Sequence, residues 1–88
     1  MTALLRLRSG DLFWRASGGE VVALDADASR YFSANPTASV LWERLEHGAT
    51  EEDLVETLRE RYGVAEEVAA ADVAAFVADL RGRGLLET

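Results

Sequence analysis

The residues able to carry chemistry are few in this chain of 88, and their arrangement argues against catalysis. Nucleophilic catalysis needs a serine, threonine or cysteine beside a base. Cysteine is absent, and the only histidine is His47. It stands beside Gly48 at the end of a helix-periodic run, where an imidazole commonly serves the free carbonyls of a helix C-terminus. A transition-metal site needs three or four His, Cys or carboxylate ligands, which one histidine does not supply. Glu51-Glu52 and Glu66-Glu67 fall at helix starts, where the dipole favours acids, so they read as solvated first turns rather than acid–base pairs. Gly18-Gly19 precedes no helix and belongs to no Gly-x-x-x-x-Gly-Lys pattern, which makes it a turn and not a phosphate loop. Asp25 and Asp27 lack the remaining oxygens and terminal Glu of an EF-hand. Neither enzyme activity nor a metal or other cofactor is expected.

The elements that position these residues follow from pattern and punctuation. Leu12-Phe13-Trp14-Arg15 and Val21-Val22-Ala23-Leu24 are strand-like runs separated by Ser17-Gly18-Gly19, a strong hairpin signal because glycine tolerates the positive φ of tight turns. Asp25 to Ser29 is turn-like and leads into a third strand, Arg30-Tyr31-Phe32-Ser33. Residues 4–7 are read as a further edge strand. At Asn35-Pro36 the period changes: Asn caps, Pro suits the first helical position, and Ala38, Leu41, Trp42 and Leu45 recur at helical spacing until Gly48. Thr50-Glu51-Glu52-Asp53 resembles a capping box and opens a second helix with Leu54, Val55, Leu58 and Tyr62, stopped by Gly63. A third helix spans about 66–83, and Gly84 before Leu85-Leu86 predicts a Schellman ending. Trp42 and Phe76 lie on apolar stripes, which makes core packing their plainest role.

Composition narrows the class. Apolar residues make up 49% of the chain, enough for one core, and the length suits one domain over 1–88. The absence of cysteine fits a reducing compartment. With no signal-like N-terminus and no apolar run long enough to span a bilayer, a cytoplasmic protein without membrane contact is expected. Net charge is −7, concentrated in residues 50–88, where four arginines face ten acids. Nucleic acid requires clustered cations, and the third helix, with four acids and two arginines, is a poor recognition helix. A winged helix that binds DNA also has its wing after the recognition helix rather than before it.

From the third strand onward the sequence resembles the PqqD family. The pattern runs Leu24-Asp25, then Arg30-Tyr31-Phe32-Ser33-Ala34-Asn35-Pro36-Thr37-Ala38, then Leu41-Trp42. It continues in order with Gly48-Ala49-Thr50, Tyr62, Asp72-Val73, Phe76-Val77, Leu80 and Gly84-Leu85-Leu86, so that it covers about residues 10–87. One departure is Ala34, where the family usually has Leu; the shorter side chain removes a core contact and is expected to loosen the end of the third strand. The resemblance implies an α+β, winged helix-turn-helix-like fold with a three-stranded antiparallel sheet followed by three helices. It also implies a recognition element for leader peptides of ribosomally made, modified peptides. A free-standing member of this size is most similar to the leader-binding partner of a lasso-peptide leader peptidase; within the family the alternative is a PQQ-pathway chaperone that presents its precursor to a radical enzyme.

In the family the leader adds as a strand beside the third strand and lies against the third helix. Carried onto this sequence, Arg30, Tyr31, Phe32 and Ser33 form the strand side. Val73, Phe76, Val77 and Leu80 form an apolar helix wall, with Ala69 leaving room for a peptide side chain. Alternation alone leaves open which of Tyr31 and Phe32 faces the groove, and about half of these side chains are expected to be ordinary core. The residues support the mechanism independently, because the third strand is the last before the chain turns helical and is therefore expected at a sheet edge, with unpaired N–H and C=O groups. A monomer is expected, and the exposed edge leaves a swapped dimer open. The rival from another class is a subunit that docks a protein partner without any peptide.

Overall fold

The computed structural model describes residues 3–8, 10, 12–26 and 29–87. Strands β1 (Leu12–Ser17) and β2 (Glu20–Asp25) form the hairpin, with Ser17 opposite Glu20 and Leu12 opposite Asp25. Gly18 and Gly19 have φ of +60° and +79°, the two consecutive positive values of a two-residue turn that side chains disfavour. Strand β3 (Arg30–Ala34) runs antiparallel to β2, from Arg30 opposite Asp25 to Ala34 opposite Val21. The sheet order is β1-β2-β3, so β3 has a strand on one side only.

Period-two alternation divides the sheet. Leu12, Val21, Ala23, Phe32 and Ala34 are buried beneath the helices, while Phe13, Val22 and Tyr31 face out. The helices are α1 (Pro36–Glu46), α2 (Glu51–Tyr62) and α3 (Glu66–Gly82). Asn35 caps α1 by accepting the Ala38 N–H at 2.8 Å. Thr50 and Asp53 complete the capping box of α2, with bonds of 3.1 and 3.0 Å. His47 is the C-cap of α1, its backbone N–H donating to the Arg44 carbonyl at 3.2 Å. After α3 the Leu85 N–H donates to the Leu80 carbonyl at 2.9 Å and the Gly84 N–H to the Arg81 carbonyl at 3.0 Å, with Gly84 at φ +70°: a full Schellman motif that turns Leu85 into the core.

Trp42 is fully buried at the centre of that core. Phe32 stacks on it with centroids 5.5 Å apart, and Trp14 meets it edge-to-face at 5.6 Å. The three strands, three helices and their order agree with the α+β, winged-helix-like expectation.

One expectation changes. Residues 4–7 do not extend the sheet. Leu5 instead bridges Ala49 before α2, and Leu7 bridges Leu86 after α3. The alternation that looked like an edge strand is real, since Leu5 and Leu7 are both buried, but the extended segment ties two loops together. Ala34, the last residue of β3, is buried opposite Val21, and its carbonyl accepts the Ser39 hydroxyl at 3.1 Å. Among the described residues no helix is long and apolar enough to cross a membrane.

Candidate functional site

The site is built from the open side of β3 and the flank of α3 that faces it. In an antiparallel edge strand alternate residues turn their N–H and C=O away from the neighbouring strand, so β3 offers a short row of backbone donors and acceptors. β3 packs on β2 and α1, whereas α3 packs chiefly on α2. Two hollows border these elements, one lined by the start of β3 with Arg83 and Leu85 and the other by Asn35, α1 and α3, and the course between them is the candidate groove. The pairing of Ala23 with Phe32 and of Leu24 with Tyr31 assigns the two aromatics to opposite faces. Phe32 points into the molecule, 9% exposed, and Tyr31 points out, 72% exposed. Arg30 and Ser33 are exposed at the strand.

On α3 the sequence-derived wall divides. Ala69, Val73, Val77 and Leu80 are closed into the core, and of these Val73 also lines a hollow between α2 and α3 with Val55 and Ala70. Phe76, 8% exposed, belongs to the core but also lines a surface hollow with Asn35, Thr37, Ala38, Leu41 and Asp72. At the other end of β3 a second hollow is formed by Leu12, Ala23, Asp25, Arg30, Tyr31, Phe32, Arg83 and Leu85. α3 therefore runs past β3 with Asp72 and Phe76 near the end of the strand and Arg83 near its start.

The residues that sequence reasoning missed, Asp72, Asp79 and Arg83, lie with Phe76 on one helical stripe. Positions 72, 76, 79 and 83 are spaced four, three and four apart, so they share a flank of α3 beside the buried face. The Asp79–Arg83 pair at 2.9 Å is part of that stripe, and the Arg83 guanidinium lies 5.0 Å from the centre of the Phe32 ring. The i,i+4 acid–arginine spacing was a legible signal for the pair, but nothing in the sequence placed Arg83 over an aromatic from β3. Asp25, buried beside this hollow, is held by Arg8 at 2.6 Å. No cluster of three or more His, Cys, Asp or Glu side chains suited to a metal occurs among the described residues.

A small domain with three strands ahead of three helices, an open third strand and a helix-flanked groove defines a winged-helix-like α+β class. Within that class the model of the family "Coenzyme PQQ synthesis protein D (PqqD)" matches residues 20–86, most of the chain. The chain belongs to the PqqD family. Among solved structures it is similar to TbiB1 in complex with the TbiA(beta) leader peptide, with 27% identity, a TM-score of 0.85, and 93% of this chain and 94% of that one covered. It is also similar to a lasso peptide synthetase B1 complexed with the leader peptide, with 29% identity, a TM-score of 0.84, and 98% of this chain and 100% of that one covered. No curated protein matches it.

Proposed function

We propose that this chain is a non-catalytic recognition element that binds the leader segment of a ribosomally made precursor peptide, of the lasso class, and presents it to a leader peptidase. The observation that carries the reading is the open edge of β3 beside the α3 flank, in a chain that superposes along nearly its whole length on two leader-bound proteins. The peptide extends the sheet as a fourth strand, pairing with the backbone of residues 30–33. Its inward side chains enter the hollows at the two ends of the groove, against Phe32 and Phe76. Ala69, Val73, Val77 and Leu80 form the packed layer beneath that contact and hold Phe76 in place.

Magnitudes favour a usable affinity. About four backbone hydrogen bonds at roughly 0.5–1.5 kcal/mol each, with two or three apolar anchors at roughly 1.5–3 kcal/mol each, exceed the cost of ordering a short peptide. Dissociation constants between micromolar and nanomolar follow.

The test is fluorescence polarisation of labelled leaders from precursor genes adjacent to this one. Saturable binding at or below micromolar supports the reading, and the leader that binds identifies the pathway. A PQQ-type precursor bound in preference to a lasso-type one replaces the peptidase partner with a radical enzyme. If no leader binds, the reading gives way to a docking subunit.

A further inference from the structure

The groove is not electrically uniform. At the end where β3 begins, the hollow has an apolar floor of Leu12, Ala23, Phe32 and Leu85, with Arg30 and Arg83 at its rim. The acid beside it, Asp25, is already compensated by Arg8 at 2.6 Å. At the other end the hollow around Phe76 contains one acid, Asp72, and no base. Positive charge is therefore confined to one end of the groove, on a chain whose net charge is −7.

The two arginines are suited to capture an anion. The Arg83 Nε donates to Asp79 at 2.9 Å and its guanidinium lies 5.0 Å over the Phe32 ring, so its plane is held before any ligand arrives. Neither of its terminal nitrogens has a hydrogen-bond partner among the described residues, and Arg30 is exposed with no ion pair there. A chain of net charge −7 repels an acidic peptide overall, whereas at this rim a carboxylate meets two guanidinium groups above an apolar floor. Side chains two apart on a strand share a face and stand about 7 Å from each other. An apolar side chain laid against this floor thus places a carboxylate two residues away within reach of the rim.

We propose that this end of the groove reads a carboxylate in the bound peptide, with Arg30 and Arg83 as the specificity-determining residues. The inference rests on the leader-binding reading and gives it a side-chain requirement that backbone pairing lacks. Because the protein as a whole repels the same peptide that these arginines attract, and salt screens both effects, salt dependence is a poor probe of the contact. A thermodynamic cycle isolates it.

The experiment measures the labelled leader of the adjacent precursor gene by fluorescence polarisation, together with variants in which each Asp or Glu is singly changed to Asn or Gln. Each peptide is titrated against the unmodified chain and against Arg30→Gln, Arg83→Gln and Arg83→Lys, with thermal melts confirming that the variants are folded. One acidic position is expected to lose about tenfold in affinity on neutralisation. Arg83→Gln or Arg30→Gln should lose a similar factor with the unmodified leader and little more with the neutralised one. Arg83→Lys should fall in between, keeping the charge but not the planar fork. Strictly additive losses, or a leader that binds tightly without any carboxylate, overturn the inference while leaving leader binding intact. No binding by the unmodified leader overturns the leader reading, and this inference with it.

Discussion

Tyr31 and Phe32 are neighbours on β3, yet one is among the most exposed aromatics and the other is stacked on the central tryptophan. The difference is one step of strand alternation, and the sequence Arg-Tyr-Phe-Ser leaves its phase undetermined because both side chains are aromatic. Only the register with β2, where Ala23 faces Phe32, fixes it. Phe76 presents the reverse case. Its helical spacing with Val73, Val77 and Leu80 was legible, but spacing does not show that it lines a surface hollow with Asn35 and Asp72. Phe76→Ala should weaken leader binding by about tenfold or more, since one ring supplies much of that end of the groove. Truncating a buried Phe also costs roughly 3–5 kcal/mol of stability, so Phe76→Leu is the necessary companion. A folded Phe76→Leu or Phe76→Ala protein that binds the leader with unchanged affinity would remove the helix wall from the mechanism.

The helices were the most legible elements, because their ends carry side chains with specific hydrogen-bonding tasks. Asn35, the Thr50–Asp53 box and Gly84 each sit where their chemistry predicts. The α3 start was not so marked, and its cap residue, Ala65, makes no side-chain bond. The box has a pH signature. The Asp53 carboxyl is held below the usual carboxylate range, first by the Thr50 backbone N–H and then by the Thr50 side chain. A carboxyl whose pKa is lower folded than unfolded stabilises the fold above its unfolded pKa, and that contribution fades as pH falls through the folded value. Asp53→Asn should therefore show a flatter loss of stability between neutral and acid pH, read from urea midpoints, and equal slopes would mean that the box contributes nothing. Thr50→Ala should cost about 1 kcal/mol at neutral pH. The β3 edge makes a different demand, because its pairing involves only backbone. N-methylation walked along the leader should abolish binding at alternate positions and spare those between, as only every second residue of an added strand turns its N–H toward β3. Uniform tolerance would mean that the peptide binds through side chains alone.

The chain as a whole is closed by a segment that the sequence pattern misassigned. Alternation in residues 4–7 correctly indicated an extended conformation with one apolar face, but a period of two does not say which strand or loop is the partner. The family match begins at residue 20, while the similar structures cover nearly the whole chain. Leu5 exchanges backbone bonds with Ala49 at 2.8 and 3.0 Å, Arg8 donates to the Leu85 carbonyl at 2.8 Å, and Glu87 donates to the Arg6 carbonyl at 2.9 Å. This staple joins the α1–α2 connection to the chain after α3, next to the hollow lined by Arg83 and Leu85. In a domain of this size one side chain is a large share of a marginal total stability. Leu5 is 1% exposed, so Leu5→Ala removes a core side chain and should cost roughly 2–5 kcal/mol, lowering Tm by at least about 10 °C. Leader affinity measured well below that lower Tm should change little, because the backbone of Leu5 pairs with Ala49 before α2 and not with β3. An unchanged Tm would mean that the N-terminal segment does not bear on the core. A normal melt with lost binding would instead make the segment part of the peptide site.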